Sequence, residues 1–131
     1  MQARLLGKLG WRPGRTMLAV GRPETLLHFA PFPPAPEEGP VDLLLGFAAQ
    51  GADVAVLADA LLPRYARGRR LWLAYPKKSG AIRSDLSRDK GWEALAAHDL
   101  LPVTQVALDE TWSALRWRFR DEIRTLTRKT A

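Results

Sequence analysis

The stretch Arg69-Arg70-Leu71-Trp72-Leu73-Ala74-Tyr75-Pro76-Lys77-Lys78-Ser79-Gly80 decides the fold of this chain. A short apolar run that stops at a proline and opens into polar residues is typical of a strand buried on both faces, as in a parallel sheet covered by helices. In such sheets ligands bind beyond the carboxyl ends of the strands. We therefore expect a functional site in the loop from Pro76 to Gly80.

The segments around this strand alternate between helix and strand patterns. The predicted elements are a helix over Gln2–Leu9, a strand over Arg15–Val20, a helix over Pro23–Phe29, a strand over Val41–Phe47, a helix capped by Asp53 that runs to Tyr65, the strand Arg69–Tyr75, a helix capped by Ser87 or Asp89 that runs to His98, and strands over Val103–Leu108 and Trp112–Phe119. The short link between the last two strands permits only an antiparallel hairpin, because parallel strands need a longer crossover. This order predicts an α/β fold, a three-layer Rossmann-like sandwich whose mostly parallel five-stranded sheet ends in an antiparallel hairpin.

Length and composition predict one domain over residues 1–119 and a basic tail over residues 120–131. The chain has 131 residues, of which 47% are hydrophobic, so it can bury a genuine core. No apolar run approaches the ~18 residues of a membrane span, and the first residues lack the apolar core of a signal peptide. The absence of cysteine excludes disulfides, thiolate metal sites and a cysteine nucleophile. A cytoplasmic protein is expected.

The net charge of +6 raises the question of nucleic-acid binding. Four of these net charges lie in residues 116–131, which hold two acidic residues and six basic ones: Arg116, Arg118, Arg120, Arg124, Arg128 and Lys129. An amphipathic helix docked by Phe119, Ile123 and Leu126 is the preferred interpretation of this segment. A tail that becomes ordered on nucleic acid is the alternative, and it requires the five arginines to form one continuous surface.

Several unusual motifs are predicted to meet at one edge of the sheet. The carboxyl ends of the first three predicted strands carry Gly21-Arg22-Pro23-Glu24, Ala48-Ala49-Gln50 and Pro76-Lys77-Lys78, and the fourth predicted strand ends at Asp109. The last strand runs in the opposite direction, so its start lies at the same edge. The candidate ligand-binding residues are Arg22, Glu24, Lys77, Lys78, Arg83, Asp85, Asp109, Thr111 and Trp112.

The chemistry of this edge leaves several roles open. Lys77, Lys78 and Arg83 could hold an anion beside free backbone N–H groups, or they could be solvated and paired with Asp85 or Asp109. These two carboxylates could form an acid–base pair, although capping and turn formation are the commoner roles of aspartate. Trp112 could stack on a planar ligand or simply pack.

Other catalytic and metal-binding patterns are missing from the sequence. His28 and His98 lack a second ligand at helical spacing, so no metal site is predicted. No serine has the surroundings of a nucleophile elbow, and there is no phosphate-binding P-loop. We therefore expect a non-catalytic module that binds a small anionic molecule or a protein partner. A degenerate enzyme that uses Asp109 and Lys77 is the alternative.

The order of elements resembles the carboxyl-terminal two-thirds of S-adenosylmethionine-dependent methyltransferases, which also end in an antiparallel hairpin after parallel strands. In that family a glycine loop follows the first strand and lets the backbone approach the cofactor. Here the corresponding segment Val20-Gly21-Arg22-Pro23-Glu24 has one glycine and a proline, and the following strand with its ribose-binding acid is missing. We therefore expect no binding of S-adenosylmethionine, and no cofactor is predicted.

A second resemblance rests on three motifs taken together. They are Val20-Gly21-Arg22-Pro23-Glu24, Leu71-Trp72-Leu73-Ala74-Tyr75-Pro76-Lys77-Lys78 and Asp109-Glu110-Thr111-Trp112-Ser113-Ala114-Leu115-Arg116. In combination they look like a family of small bacterial proteins known only as a domain of unknown function. The match covers roughly residues 4–118, and the tail from Phe119 is an addition. The resemblance implies a single domain and names no activity.

Overall fold

The computed structural model describes residues 2–21, 37–78 and 82–123, with side chains from residue 6 onward. In this part of the chain five strands form one sheet. They are β1 (Met17–Val20), β2 (Leu43–Phe47), β3 (Arg70–Pro76), β4 (Leu100–Ala107) and β5 (Trp112–Phe119). Their order across the sheet is β1-β2-β3-β5-β4. The α/β class and the number of strands agree with the prediction.

The sheet is mixed, which corrects the prediction of a mostly parallel sheet. β1 pairs with β2 and β2 with β3 in parallel, whereas β5 pairs with both β3 and β4 in antiparallel fashion. The reason is that β5 folds back from the turn after β4 and inserts between β4 and β3. Trp72 of β3 therefore lies opposite Arg116, and Gln105 of β4 lies opposite Leu115.

Helices pack on both faces of the sheet. The helices of the described residues are α1 (Gln2–Leu9), α2 (Ala52–Leu61), which continues into a 3-10 turn over Leu62–Arg64, and α3 (Glu93–Ala96). Leu6 and Leu9 of α1 pack against one face together with Leu43 and Leu45. The α2 and α3 side chains pack against the other face, where Leu44 points. This alternation along β2 explains why its predicted strand is apolar throughout: both of its faces are buried.

The approach of α2 to the sheet depends on a glycine. A Cβ added to Gly46 would lie 2.9 Å from Leu61 Cδ1 and 3.0 Å from Leu57 Cδ2. The first distance is shorter than real Cβ contacts and the second is tighter than most, so a larger residue here would force Leu57 and Leu61 to shift or α2 to move outward. The glycine within an otherwise apolar strand is therefore explained by close helix–sheet packing.

The helix starts differ from the predicted ones. Gly51, not Asp53, occupies the N-cap of α2, and the Asp53 carboxylate instead accepts hydrogen bonds from Ala49 N and Gln50 N at 3.1 and 3.0 Å. Ser87 and Asp89 do not cap α3, because Ser87 bridges to Lys90 in a tight turn. Gly91 follows this turn with φ of 97°, a conformation that interrupts a helix, and α3 begins only at Glu93.

The beginning of the basic tail is docked on the domain. Arg120–Ile123 are helical, and Glu122 holds them through its buried carboxylate. This carboxylate accepts hydrogen bonds from Gly68 N at 2.9 Å and Phe119 N at 2.7 Å. This contact is made by Glu122, which was not part of the predicted stripe of Phe119, Ile123 and Leu126, so the helix over the whole tail stays a prediction. Leu126 lies outside the described residues, as does the predicted helix over Pro23–Phe29. No helix in the described ranges is long and apolar enough to cross a membrane.

Candidate functional site

The residues that follow β3 line a cavity of about 450 Å³. Three of its lining side chains are cationic: Lys77, Lys78 and Arg83. The other lining residues that the structure describes are Pro76, Ile82, Ser84 and Leu86. None of these lining residues is acidic, so the walls of the cavity combine positive charge with a small apolar surface.

The hairpin between β4 and β5 positions one side of this cavity. Lys77 N donates a hydrogen bond to Thr111 O at 2.7 Å. The turn that presents this carbonyl is itself fixed by Asp109, whose Oδ1 accepts from Thr111 N at 2.8 Å and from Trp112 N at 2.7 Å. Asp109 and Thr111 therefore act on the site indirectly, by fixing the backbone of Lys77.

The start of α2 positions the other side of the cavity. The Gln50 side chain pairs with the backbone of the returning loop: its Nε2 donates to Arg83 O at 2.7 Å, and its Oε1 accepts from Asp85 N at 3.2 Å. The Asp85 carboxylate in turn accepts from Gly51 N at 2.6 Å. This hydrogen bond caps α2 from a residue distant in sequence, and an anion at a helix start is also favoured by the helix dipole.

The positive charges of the cavity are not neutralised by the carboxylates that were expected to pair with them. Asp85 and Asp109 are committed to backbone N–H groups, as described above. Among the described residues, Lys77, Lys78 and Arg83 form no ion pair with any carboxylate. The Asp109–Lys77 pair that an acid–base mechanism would use is likewise not formed in this part of the chain.

A smaller cavity of about 230 Å³ lies next to the first one. It shares Lys77 and Lys78 and is completed by Tyr75, Ser87, Arg88 and Asp89. The two lysines therefore stand between a cavity with cationic walls and a cavity that also contains an acid. Among the described residues of this smaller cavity, Asp89 supplies the carboxylate.

The predicted site residues thus separate into three groups. Lys77, Lys78 and Arg83 come together around one cavity. Asp85, Asp109 and Thr111 support its backbone without lining it. Trp112 is only 5% exposed and packs edge-on against Phe47, with ring centroids 5.3 Å apart, so its described surroundings are those of a core residue.

Two of the predicted site residues, Arg22 and Glu24, lie outside the described residues. The site also contains four residues that were not among the predicted ligand-binding ones: Gln50, Ile82, Ser84 and Leu86. The last three follow the lysine loop directly, so a wider window around the loop would have included them. The sequence places Gln50 after the second predicted strand, at the same edge of the sheet, but its contact with Arg83 could not be predicted because it spans 33 residues of chain.

Of the arginines in residues 116–131, the structure describes Arg116, Arg118 and Arg120, and each of the three has a different contact. Arg120 pairs with Asp99 at 2.9 Å, and Arg118 Nε lies 3.8 Å from Glu122 Oε1. Arg116 turns toward the start of β3, where its Nη2 donates to Arg69 O at 3.4 Å. Arg124 and Arg128 lie outside the described residues.

Comparison with known proteins does not assign this chain to a family. No protein-family model matches the chain, and no curated protein is significantly similar to it. Membership in the family of unknown function therefore stays a prediction. A crystal structure of a protein in the NADB-Rossmann superfamily from Streptococcus agalactiae matches with a TM-score of 0.39 and 17% identity, over 60% of this chain and 32% of that chain. A structural match with so low a TM-score does not establish a shared fold. The fold class is therefore assigned from the strand order of the sheet.

Proposed function

We propose that this protein binds a small anionic molecule in the cavity at the end of β3, with Lys77, Lys78 and Arg83 as its cationic contacts. The observation that carries the proposal is the absence of neutralising carboxylates among the described residues that line this cavity. Cationic side chains around one concave surface attract anions, most strongly where no fixed acid competes. The position beyond the carboxyl end of a parallel strand supports the same proposal.

The shape of the cavity narrows the class of ligand. A volume of about 450 Å³ falls within the range of small-molecule sites. Leu86 is buried and Ile82 is half-buried, so both offer apolar contacts beside the charges. A phosphorylated or carboxylated metabolite with an apolar portion suits these walls better than a bare inorganic ion does. The arginine can hold an oxyanion through two parallel N–H donors, while the lysines act as point charges.

Thermal stabilisation by anions tests this proposal. Inorganic phosphate and a panel of phosphorylated and carboxylated metabolites are added to the folded protein, and the melting temperature is recorded. A ligand at a hundredfold excess over its Kd stabilises the fold by ~2.7 kcal/mol. The double variant Lys77→Ala with Lys78→Ala should keep the parent's melting temperature and lose the ligand-induced increase.

Lys90→Gln is the matched control, because Lys90 lies in the neighbouring turn and lines neither cavity. It should respond to anions as the parent does. A double lysine variant that is strongly destabilised would show that the lysines are structural. Equal stabilisation of parent and double variant would place the anion elsewhere. Either result would overturn the proposal.

S-adenosylmethionine distinguishes the methyltransferase alternative. The segment after β1 offers Gly21, which has φ of 76°, as its one glycine, and a Cβ there would lie 3.2 Å from Phe47 O. Adding S-adenosylmethionine in millimolar excess should leave the melting temperature unchanged. Clear stabilisation that persists in the double lysine variant would favour the enzyme alternative.

A further inference from the structure

Five arginines from three distant segments meet near the start of β3. This arginine cluster consists of Arg12, Arg15, Arg70, Arg116 and Arg118. The Arg70 side chain lies directly over Gly10 and leaves no room there for a Cβ. Arg15 Nη1 donates to the carbonyl of the same glycine at 2.8 Å. The hydrogen bond from Arg116 to Arg69 O brings β5 to the same place.

The arginine cluster lies on the α1 face of the sheet. Along β3, Arg70 shares a face with Trp72, and along β5, Arg116 shares a face with Ala114, because side chains alternate in strands. Trp72 and Ala114 pack with the α1 side chains. The cluster is at the amino end of β3 and the anion cavity at its carboxyl end, about 20 Å apart at the usual rise per residue. The two sites are therefore separate.

The charges of the cluster are poorly compensated. Arg118 has Glu122 at 3.8 Å, and the nearby Asp42 carboxylate is taken by Arg69 and by Thr16 N. In the described part of the chain the other four arginines form no ion pair with a carboxylate. Burial lowers the pKa of Arg70, and the positive charges of Arg15, Arg12 and Arg118 lower it further. Burial and the charges of Arg70 and Arg118 likewise lower the pKa of Arg116.

Five like charges held close together repel one another, and an anion bound beside them would relieve this repulsion. A surface of this kind attracts polyanions and offers planar guanidinium groups that match phosphate geometry. We infer that the arginine cluster binds the phosphodiester backbone of a nucleic acid strand, through phosphate contacts that do not read the sequence. The charged side chains are spread over three segments, so they can contact consecutive phosphates of a strand better than they can surround one isolated phosphate.

The surroundings of the cluster favour nucleic acid over a membrane. Stable membrane binding by a basic patch needs an apolar insertion or a lipid chain beside it. Among the described residues, Val56 is the large hydrophobic residue that is exposed, with 67% of its surface accessible to solvent. Val56 belongs to α2, which packs on the opposite face of the sheet from the cluster.

Fluorescence anisotropy with a labelled single-stranded oligonucleotide of mixed sequence tests this inference. The whole protein should bind at about 50 mM salt and weaken steeply toward about 200 mM. The double variant Arg70→Gln with Arg116→Gln should bind at least about tenfold more weakly. Loss of two phosphate contacts should also lower the slope of log K against log salt by about 1.4 for a single strand.

Melting temperature separates a binding defect from a folding defect. The double arginine variant should melt at or above the parent's temperature, because the substitutions relieve repulsion between neighbouring charges. The double variant Arg88→Gln with Lys90→Gln removes the same number of positive charges from an exposed turn away from the cluster and should keep the parent's affinity and slope. Weaker oligonucleotide binding by the double arginine variant, its undiminished melting temperature and the unchanged affinity of the control would together support the inference.

Four results would overturn it. They are absence of oligonucleotide binding by the parent at about 50 mM salt, unchanged affinity in the double arginine variant, displacement of the oligonucleotide by inorganic phosphate at equal phosphate concentration, and tighter binding to phosphatidylserine vesicles than to the oligonucleotide. The third would indicate a single-phosphate site, and the fourth a membrane surface.

Discussion

The hydroxyl of Tyr65 donates to the carboxylate of Glu122, with oxygen–oxygen distances of 2.8 and 3.0 Å. This bond joins the segment before β3 to the residues after β5. Burial alone would raise the pKa of Glu122, but hydrogen bonds from Gly68, Phe119 and Tyr65 and the charge of Arg118 lower it below the ordinary value. Burial and the same carboxylate raise the pKa of Tyr65. The pair therefore links chain segments through a charged, largely buried group.

Glu122→Gln should destabilise the fold by about 1–3 kcal/mol, because an amide would turn a donor toward backbone N–H groups that now have an acceptor. Urea unfolding measures this loss. Asp121→Asn is the matched control, since its ion pair with Arg67 is more than half exposed on both sides. Such pairs are worth about 0–1 kcal/mol. Equal losses in the two variants would contradict the assigned role of Glu122.

The same carboxylate should make stability depend on pH in the acid range. The folded protein holds the Glu122 proton less tightly than the unfolded chain, so the stabilisation is complete above the ordinary pKa of 4.5. It is lost as pH falls through the lower folded pKa. Unfolding free energies measured across this range should decline more steeply in the parent than in Glu122→Gln. Parallel curves would contradict this prediction.

Two glycine-to-alanine substitutions should have opposite effects. Gly46→Ala would force Leu57 and Leu61 away from the sheet and should cost about 1–3 kcal/mol. Gly7→Ala places a methyl group on α1 with no atom within 4 Å and should stabilise by roughly 0.5–1 kcal/mol. Calorimetric melting distinguishes them. A neutral Gly46→Ala would show that α2 can move outward at little cost.

Asp109→Ala should loosen the turn that holds Lys77. It removes the acceptor of two backbone hydrogen bonds and should cost about 1 kcal/mol. Because Thr111 O accepts from Lys77 N, the amide of Lys77 should exchange with solvent faster in this variant. Glu110→Ala, at the exposed neighbouring position, should leave both the melting temperature and this exchange rate unchanged.

Gln50→Ala should release the loop on the other side of the cavity. The Asp85 amide loses its acceptor, so its hydrogen exchange should accelerate while global stability changes little. Gln105→Ala is the control, because that side chain bonds Tyr75 and Ser113 instead. Unchanged exchange at Asp85 in Gln50→Ala would show that the loop is fixed by other contacts.

Local sequence patterns predicted most of the helices and strands of the described residues correctly. The last strand was predicted at Trp112–Phe119, where the structure has it, because alternating residues and a polar turn mark both ends. The first helix was also predicted with its observed bounds. By contrast, the helix start at Ser87 or Asp89 was wrong because both residues favour turns as well as caps, and the turn prevailed. The strand Leu100–Ala107 begins earlier than predicted because Leu100 and Leu101 already pair with β5.

The remaining differences arise from contacts between distant segments. The hydrophobic pattern did not predict that β5 lies between β3 and β4, because Arg116 and Arg118 alternate with its apolar residues as they would in a half-exposed strand, although β5 is mostly buried and β4 mostly exposed or half-buried. The roles of Asp85 and Gln50 depend on a contact across more than thirty residues. The arginine cluster is invisible for the same reason, because its members come from the turn after α1, the start of β3 and the end of β5.

The central position of β5 has a consequence for synthesis of the protein. A chain emerging from the ribosome presents β4 before β5, and β4 has no other strand partner in the described sheet. Until the residues through Phe119 are free to fold, β3 and β4 both expose unpaired backbone groups. Such edges can pair with other chains, so the nascent protein should depend on rapid insertion of β5 or on protection by a chaperone.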